Sequence, residues 1–279
     1  MVAGRRRRHN RGVRLAWATD IHLDFLEPTG VQAFGDTLAG SGADAVVLTG
    51  DLTTSPRLSA DLTMLERRVG RPIYFVLGNH DFYRGSVVRT HTTARSLTRS
   101  ARHLRWLPEH GVVPLGEKTA LIGCDGWGDA RLGNVAGTTV ELNDFRLIED
   151  LCGLGRRART RMLQAFGDSE AKRARELLAQ ALPRFERVVF ATHVPPFRES
   201  CWHEGKTPAE NDDWLPYFTC KAVGDVLLEA ASARPDRYIL VLCGHTHGGG
   251  VAQLLPNLVV RTGGADYGTP RAQEVFEFV

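Results

Sequence analysis

The 279-residue sequence contains no apolar run approaching the ~18 uninterrupted residues of a membrane span. That excludes a helical membrane protein. It has no internal repeat and no long low-complexity stretch, which excludes a repeat architecture. Cysteine is scarce: Cys124, Cys152, Cys201, Cys220 and Cys243 make an odd set with no close pair. Neither a disulfide framework nor a zinc ribbon is written there, and a reducing interior suits this usage. No signal peptide is legible, because Arg14 interrupts the apolar stretch after the Arg5–Arg8 run and Asp20 ends it. A soluble, cytoplasmic protein is expected, with no membrane partner.

What is present is ordinary in bulk. Hydrophobic residues make up 43% of the chain, and 29 glycines are somewhat more than usual. The length suffices for a sizeable core without staples, in one large domain or two small ones. Removing the four positive charges of Arg5–Arg8 from the formal net charge of +3 leaves −1, so the remainder is near neutral. Residues 1–12 read as a basic, disordered, solvated tail, with a nucleic-acid arm as the alternative.

Apolar runs and helical spacings alternate along the first third. Val13 to Ala18, Ala45 to Leu48 and Ile73 to Leu77 read as strands. Val31, Phe34 and Leu38 mark one intervening helix. Leu58, Leu62, Leu65 and Val69 mark a second, which Gly70 and Pro72 terminate. Such alternation argues an α/β architecture. Val112 to Leu115 and Thr119 to Gly123 suggest a hairpin turning at Gly116. Residues 125–168, Gly-rich and then mixed in charge, read as a partly helical, cap-like insertion over one edge.

Regularity returns at Ala171 with a helix stopped by Pro183. A strand over Val188 to Ala191 follows, then a long loop over 194–218, a helix carrying Val223 to Ala230, and a strand over Tyr238 to Leu242. Val251 to Leu255, Leu258 to Val260 and Val275 to Phe278 look like closing antiparallel strands. One domain over 13–279 fits best, because a boundary between the polar motifs would split them.

Those motifs are the informative feature. Asp20-Ile21-His22, Gly50-Asp51, Gly78-Asn79-His80-Asp81, His193 and Gly244-His245-Thr246-His247 each close an expected strand. Ligands of open α/β sheets bind beyond the carboxyl ends of strands, so five strands would aim these groups at one crevice. Any one motif is weak; the fivefold placement is not. Carboxylate, imidazole and amide are the donors that hold a pair of divalent metals about 3.5–4 Å apart, which activates water against a phosphate ester. Asp51 is the candidate bridging carboxylate. His80 is placed to protonate the leaving oxygen, and Asp81 either orients that ring or serves an ordinary turn or capping role. Thr246 is a spacer.

In content and order these motifs resemble the calcineurin-like metallophosphoesterase superfamily across residues 20–247. The resemblance implies a four-layer α/β/β/α sandwich of two mixed sheets with a binuclear centre at its edge. It implies that Asp20, His22 and His247 ligate one metal, that Asn79, His193 and His245 ligate the other, that Asp51 bridges them, and that His80 is the catalytic histidine. No ligand position is missing, which argues against relatives that serve only as metal-binding scaffolds. The N and O donors suit divalent or trivalent Mn, Fe, Zn, Ni or Co, without choosing among them. The resemblance further implies a bridging hydroxide that attacks phosphorus in line.

The substrate is less legible. Gly50-Asp51-Leu52-Thr53 and a third motif ending at Asp81 depart from the Ser/Thr protein phosphatase pattern, and the His245/His247 pairing is shared by phosphodiesterases and nucleases. A small phosphate monoester or diester is expected, with a nucleic acid as the alternative. Tyr83 and Arg84, beside His80, and Trp202 and His203, on the 194–218 loop, are the candidate substrate contacts. Trp214, Tyr217 and Phe218 either stack on a planar group or pack the loop down. Arg156, Arg157, Arg159 and Arg161 read as a solvated helix face sooner than a phosphate grip. Oligomeric state is not written in the sequence.

Overall fold

A computed structural model describes residues 12–278; the tail expected over 1–12, with its arginine run, therefore falls almost wholly outside the described residues. The chain runs through β1 (Val13–Ala18), α1 (Pro28–Gly40), β2 (Ala45–Thr49), α2 (Leu58–Val69), β3 (Ile73–Val76), α3 (Val87–Ser100), β4 (Leu104–Trp106) and α4 (Leu107–His110). There follow β5 (Val113–Pro114), β6 (Thr119–Gly123), α5 (Asp144–Leu147), α6 (Arg156–Ala181), β7 (Arg187–Ala191), α7 (Leu215–Phe218), α8 (Lys221–Ala233), β8 (Tyr238–Cys243), β9 (Gly250–Leu255), β10 (Leu258–Thr262) and β11 (Glu274–Phe278).

Two mixed sheets result. One is ordered β11-β1-β2-β3-β4, parallel except for β11, which pairs antiparallel with β1. The other is ordered β5-β6-β7-β8-β10-β9, with β6, β7, β8 and β10 mutually parallel between two antiparallel edge strands.

The strands read as unbroken apolar runs because both their faces are covered. Leu15, Trp17, Ala45, Val47 and Val76 meet Leu121, Val189, Ala191, Leu240 and Leu242 between the sheets. The alternate residues Ala16, Ala18, Val46 and Leu48 face the helix layer carrying Val31, Leu38, Leu58 and Leu62. On the far side Val188, Phe190, Ile239 and Val241 pack on Leu177, Leu178, Val223 and Leu227 of α6 and α8. The layers are α/β/β/α, as expected.

Three readings need correction. α6 begins at Arg156, not Ala171, and takes in the last third of the expected insertion. Its buried positions Leu163, Gly167, Glu170, Ala174 and Leu177 hold helical spacing throughout, but Gly167 and Glu170 break the apolar signal. The 194–218 loop holds a 3-10 turn at Arg198–Ser200 and the short α7. Among the closing strands, β10 is antiparallel only to β9 and runs parallel to β8.

The expected insertion is well packed. Trp127, Ala130, Phe145, Ile148, Leu151 and Leu163 join the core cluster that lies under α1 and α2. Among the described residues no helix is long and apolar enough to cross a membrane.

Candidate metal centre

The loops that leave β1, β2, β3, β7 and β8 converge at one edge of the sandwich. Asp20 N–H donates to Gly50 O (3.1 Å), His22 N–H to Asp51 O (3.0 Å) and Gly244 N–H to His193 O (2.9 Å), so adjacent loops are stitched together. Tight approach depends on glycine at two points. A Cβ on Gly78 would stand 2.3 Å from Asp51 Oδ1 and 2.5 Å from the His193 ring. Gly50, at φ 87, would carry a Cβ 2.5 Å from His193 Nδ1.

Asp20, His22, Asp51, His245 and His247 all take left-handed backbone angles, with φ between 40 and 70. Such residues cost roughly 1–3 kcal/mol each and gather where function demands a geometry.

Two donor sets meet at Asp51. On one side, His193 Nε2 lies 3.2 Å from Asp51 Oδ1, 3.2 Å from Asn79 Oδ1 and 3.2 Å from His245 Nδ1. Partners behind the rings fix these atoms: His193 Nδ1 faces Thr49 O at 2.9 Å and His245 Nε2 faces Tyr217 O at 3.2 Å. On the other side, His22 Nε2 lies 3.9 Å from Asp51 Oδ2 and 3.2 Å from His247 Nε2, which is 3.5 Å from Asp20 Oδ1. Asp20 is itself braced by Thr19 Oγ1 (2.7 Å) and His245 N–H (3.0 Å).

This arrangement fits metal ions. Asp20, His22 and His247 form one group whose donor atoms lie within 4.8 Å of one another; Asp51, His193 and His245 form a second. Burial pulls the imidazoles of His22 and His245 down to about 3, leaving both neutral and able to donate a lone pair. Burial acts the same way on His193, but the Asp51 carboxylate outweighs it and holds the ring up to about 10. A proton there occupies the Nε2 position that a cation would take. Ring nitrogens facing one another at 3.2 Å with carboxylates beside them have a natural partner in a shared cation. A third group, His22, Asp51 and His80, overlaps both sets.

His80 is buried, and its Nε2 lies 3.0 Å from Asp24 Oδ2. Burial pushes its pKa down, but Asp24 and Asp51 outweigh that and raise it. Asp24, not Asp81, is thus the carboxylate beside this ring, and Asp81 takes the turn or capping role that stood as its other reading. The Asp81 carboxylate accepts the N–H groups of Leu52 (2.9 Å), Thr53 (2.9 Å) and Gly78 (2.8 Å), tying two loops together.

The expected substrate contacts fare differently. Tyr83 is buried, its ring 4.3 Å from that of His80 and its hydroxyl donating to Asp144 Oδ1 (2.7 Å), so it braces its neighbours. Arg84 is exposed, with its backbone N–H on Leu147 O (2.7 Å). Trp202 packs at the start of β9: its ring covers Gly250 and its carbonyl abuts Gly248. His203 packs on Trp214 and Phe218, and Phe218 separates it from His245. Arg159 lies over the Phe145 ring and pairs with Glu141.

Sequence reasoning missed three groups. Asp24 carried a faint signal, standing two residues beyond His22. Asp144 carried none; from α5 it accepts the Asn79 side-chain N–H at 2.9 Å and so turns the Asn79 carbonyl toward His193. Tyr267, on the stretch before β11, lies 4.6 Å from the His22 ring and 4.9 Å from that of His247.

Comparison with known proteins agrees with this geometry. The family model described as calcineurin-like phosphoesterase matches residues 13–249. Among solved structures, the chain is similar to phosphopantetheinyl hydrolase from Mycobacterium tuberculosis (TM-score 0.63, 14% identity, 95% of this chain and 96% of that one). It is also similar to a dimetal phosphatase from Danio rerio (TM-score 0.54, 15% identity, 91% of this chain and 88% of that one). At these identities the likeness is one of fold. No curated protein matches the sequence significantly. The His and Asp clusters, taken with the family, point to divalent metal ions. The chain belongs to the calcineurin-like phosphoesterase family and is a metallophosphoesterase, a hydrolase by class.

Proposed function

We propose that this chain hydrolyses small phosphomonoesters or phosphodiesters with two metal ions. Asp20, His22 and His247 would hold one ion, Asn79, His193 and His245 the other, and Asp51 both. The observation that carries this reading is the position of Asp51. Its Oδ1 faces His193 and its Oδ2 faces His22, so its two oxygens address two separate imidazole sets. Bound cations supply Lewis-acid stabilisation of phosphoryl charge and a more acidic water.

The chain's own residues do the rest. Asp24 holds the His80 ring, which passes a proton from nitrogen to the leaving oxygen. Asp144 fixes the amide of Asn79. The left-handed turns at Asp20, His22, Asp51, His245 and His247 hold the donors in place before substrate arrives, so little reorganisation accompanies binding.

Nitrogen and oxygen donors support Mn, Fe, Zn, Ni or Co in both positions. Residues 13–279 act as one domain in this reading, and the insertion contributes Asp144 to the site. The five free cysteines support a reducing, cytoplasmic setting. A nucleic-acid substrate is the alternative reading, resting on the Arg5–Arg8 run of the sequence.

The test is hydrolysis by the purified chain, with manganese, of an aryl phosphate, its diester, alkyl phosphates including a phosphopantetheinyl ester, and short oligonucleotides. Activity abolished by chelation, and lowered about 1,000-fold or more in Asp51→Asn, is expected. Turnover that survives both treatments overturns the mechanism. Stoichiometric metal without turnover of any ester would favour the scaffold reading.

A further inference from the structure

Two aromatic rings stand at the mouth of the centre, both more than half exposed: Phe25 at 54% and Tyr267 at 55%. They come from opposite ends of the chain. Phe25 ends a 3-10 turn over Leu23–Phe25, and Tyr267 lies on the irregular stretch between β10 and β11. Their rings meet at 4.7 Å with a 40° tilt. Tyr267 also touches the rings of His22 and His247, and Phe25 lies 6.0 Å from the ring of His80. Large rings left in water forgo the free energy of burial, and apolar surface gathered beside reacting groups marks a binding site.

Neither ring hangs on a loose tether. Leu23 N–H donates to Leu52 O (2.8 Å), and Asp24 is engaged with His80. Ala265 N–H donates to His247 O (3.1 Å). The base of that stretch is braced by Gln273, whose side-chain amide donates to Gly264 O (2.8 Å) and accepts from Gly264 N–H (3.2 Å). Among the described residues the Tyr267 hydroxyl has no hydrogen-bond partner, so a donor remains at the rim of an otherwise apolar surface.

We infer that Phe25 and Tyr267 form an aromatic platform that receives a flat, π-bearing substituent on the leaving side of the phosphate ester, an aryl or heteroaromatic group. This rests on the two-metal reading, with His80 on the leaving oxygen, and deepens it by naming the substrate class. The leaving oxygen lies next to His80, and Phe25 is the ring exposed beside it, so the substituent on that oxygen comes to rest against the pair. A rigid plane matches such a surface at small entropic cost, whereas a flexible alkyl chain gains less from it.

The test uses phenylphosphonate and methylphosphonate, which are not hydrolysed. Their affinities for the full chain with manganese are measured by calorimetry and, separately, as inhibition constants against ester hydrolysis. The wild-type chain is expected to prefer the phenyl compound by about tenfold. Phe25→Ala with Tyr267→Ala should reduce that ratio to within about twofold, and Phe25→Leu with Tyr267→Leu, which keeps more apolar volume, should reduce it likewise. Equal affinity for the two compounds in the wild type, or an undiminished ratio in both double variants, overturns the platform. If the wild type hydrolyses no ester, the proposed activity fails while calorimetry still decides the platform. Sedimentation showing a dimer that the double variants dissolve would reassign the rings to a contact between copies and overturn the inference.

Discussion

Asp24 meets the His80 ring at 3.0 Å, whereas the Asp81 oxygens are taken up by three backbone N–H groups. The two aspartates therefore fail differently when altered. Asp24→Asn should lower kcat about 10- to 100-fold while metal content stays as in the wild type. The loss should be steeper for alkyl esters than for a p-nitrophenyl ester, whose leaving group departs without a proton. An equal loss for both, or none, would remove Asp24 from the account. At this scale the sequence pointed to residues that stand together in the chain as well as in the fold, such as Asn79 and His80, which lie beside His193 and Asp51. It said little of partners brought together by folding. Asp24 reaches His80 across 56 positions and Asp144 reaches Asn79 across 65, and neither spacing leaves a local pattern.

Among the elements, parallel strands were legible because burial on both faces leaves continuous apolar runs, as at Ala45–Thr49 and Tyr238–Cys243. Strand order was not, because β11 pairs with β1 and β10 inserts beside β8, choices made by long-range pairing. α6 hid its first half because Gly167 and Glu170 occupy buried positions where aliphatic residues are expected. Glu170 carries a measurable consequence. Burial, and after it the neighbouring Asp125 carboxylate, hold its carboxyl well above the ordinary glutamate range. The folded chain thus binds this proton more tightly than the unfolded chain. The associated stability is complete below the unfolded pKa and is lost as pH rises through the folded one. Glu170→Gln does not titrate, so its melting temperature relative to the wild type should improve between pH 5 and pH 8, by about 2–4 °C for each kcal/mol recovered. A difference that stays flat over this range, measured by thermal melts, would contradict the assignment.

For the whole molecule, two sheets packed face to face bring loops from β1, β2 and β3 against loops from β7 and β8, and neither sheet supplies both donor sets alone. His22 and His247 are separated by 225 positions yet bring their Nε2 atoms to 3.2 Å, across the seam between the sheets. Cations bound there would engage the folded chain and not the unfolded one, and so would tie the two halves together. The central claim is that two cations share Asp51. Anomalous scattering from manganese-loaded crystals tests it most directly. Two peaks are predicted about 3.5–4 Å apart, one among Asp20, His22 and His247, the other among Asn79, His193 and His245, with Asp51 between them. A single peak, or peaks away from Asp51, would contradict the account.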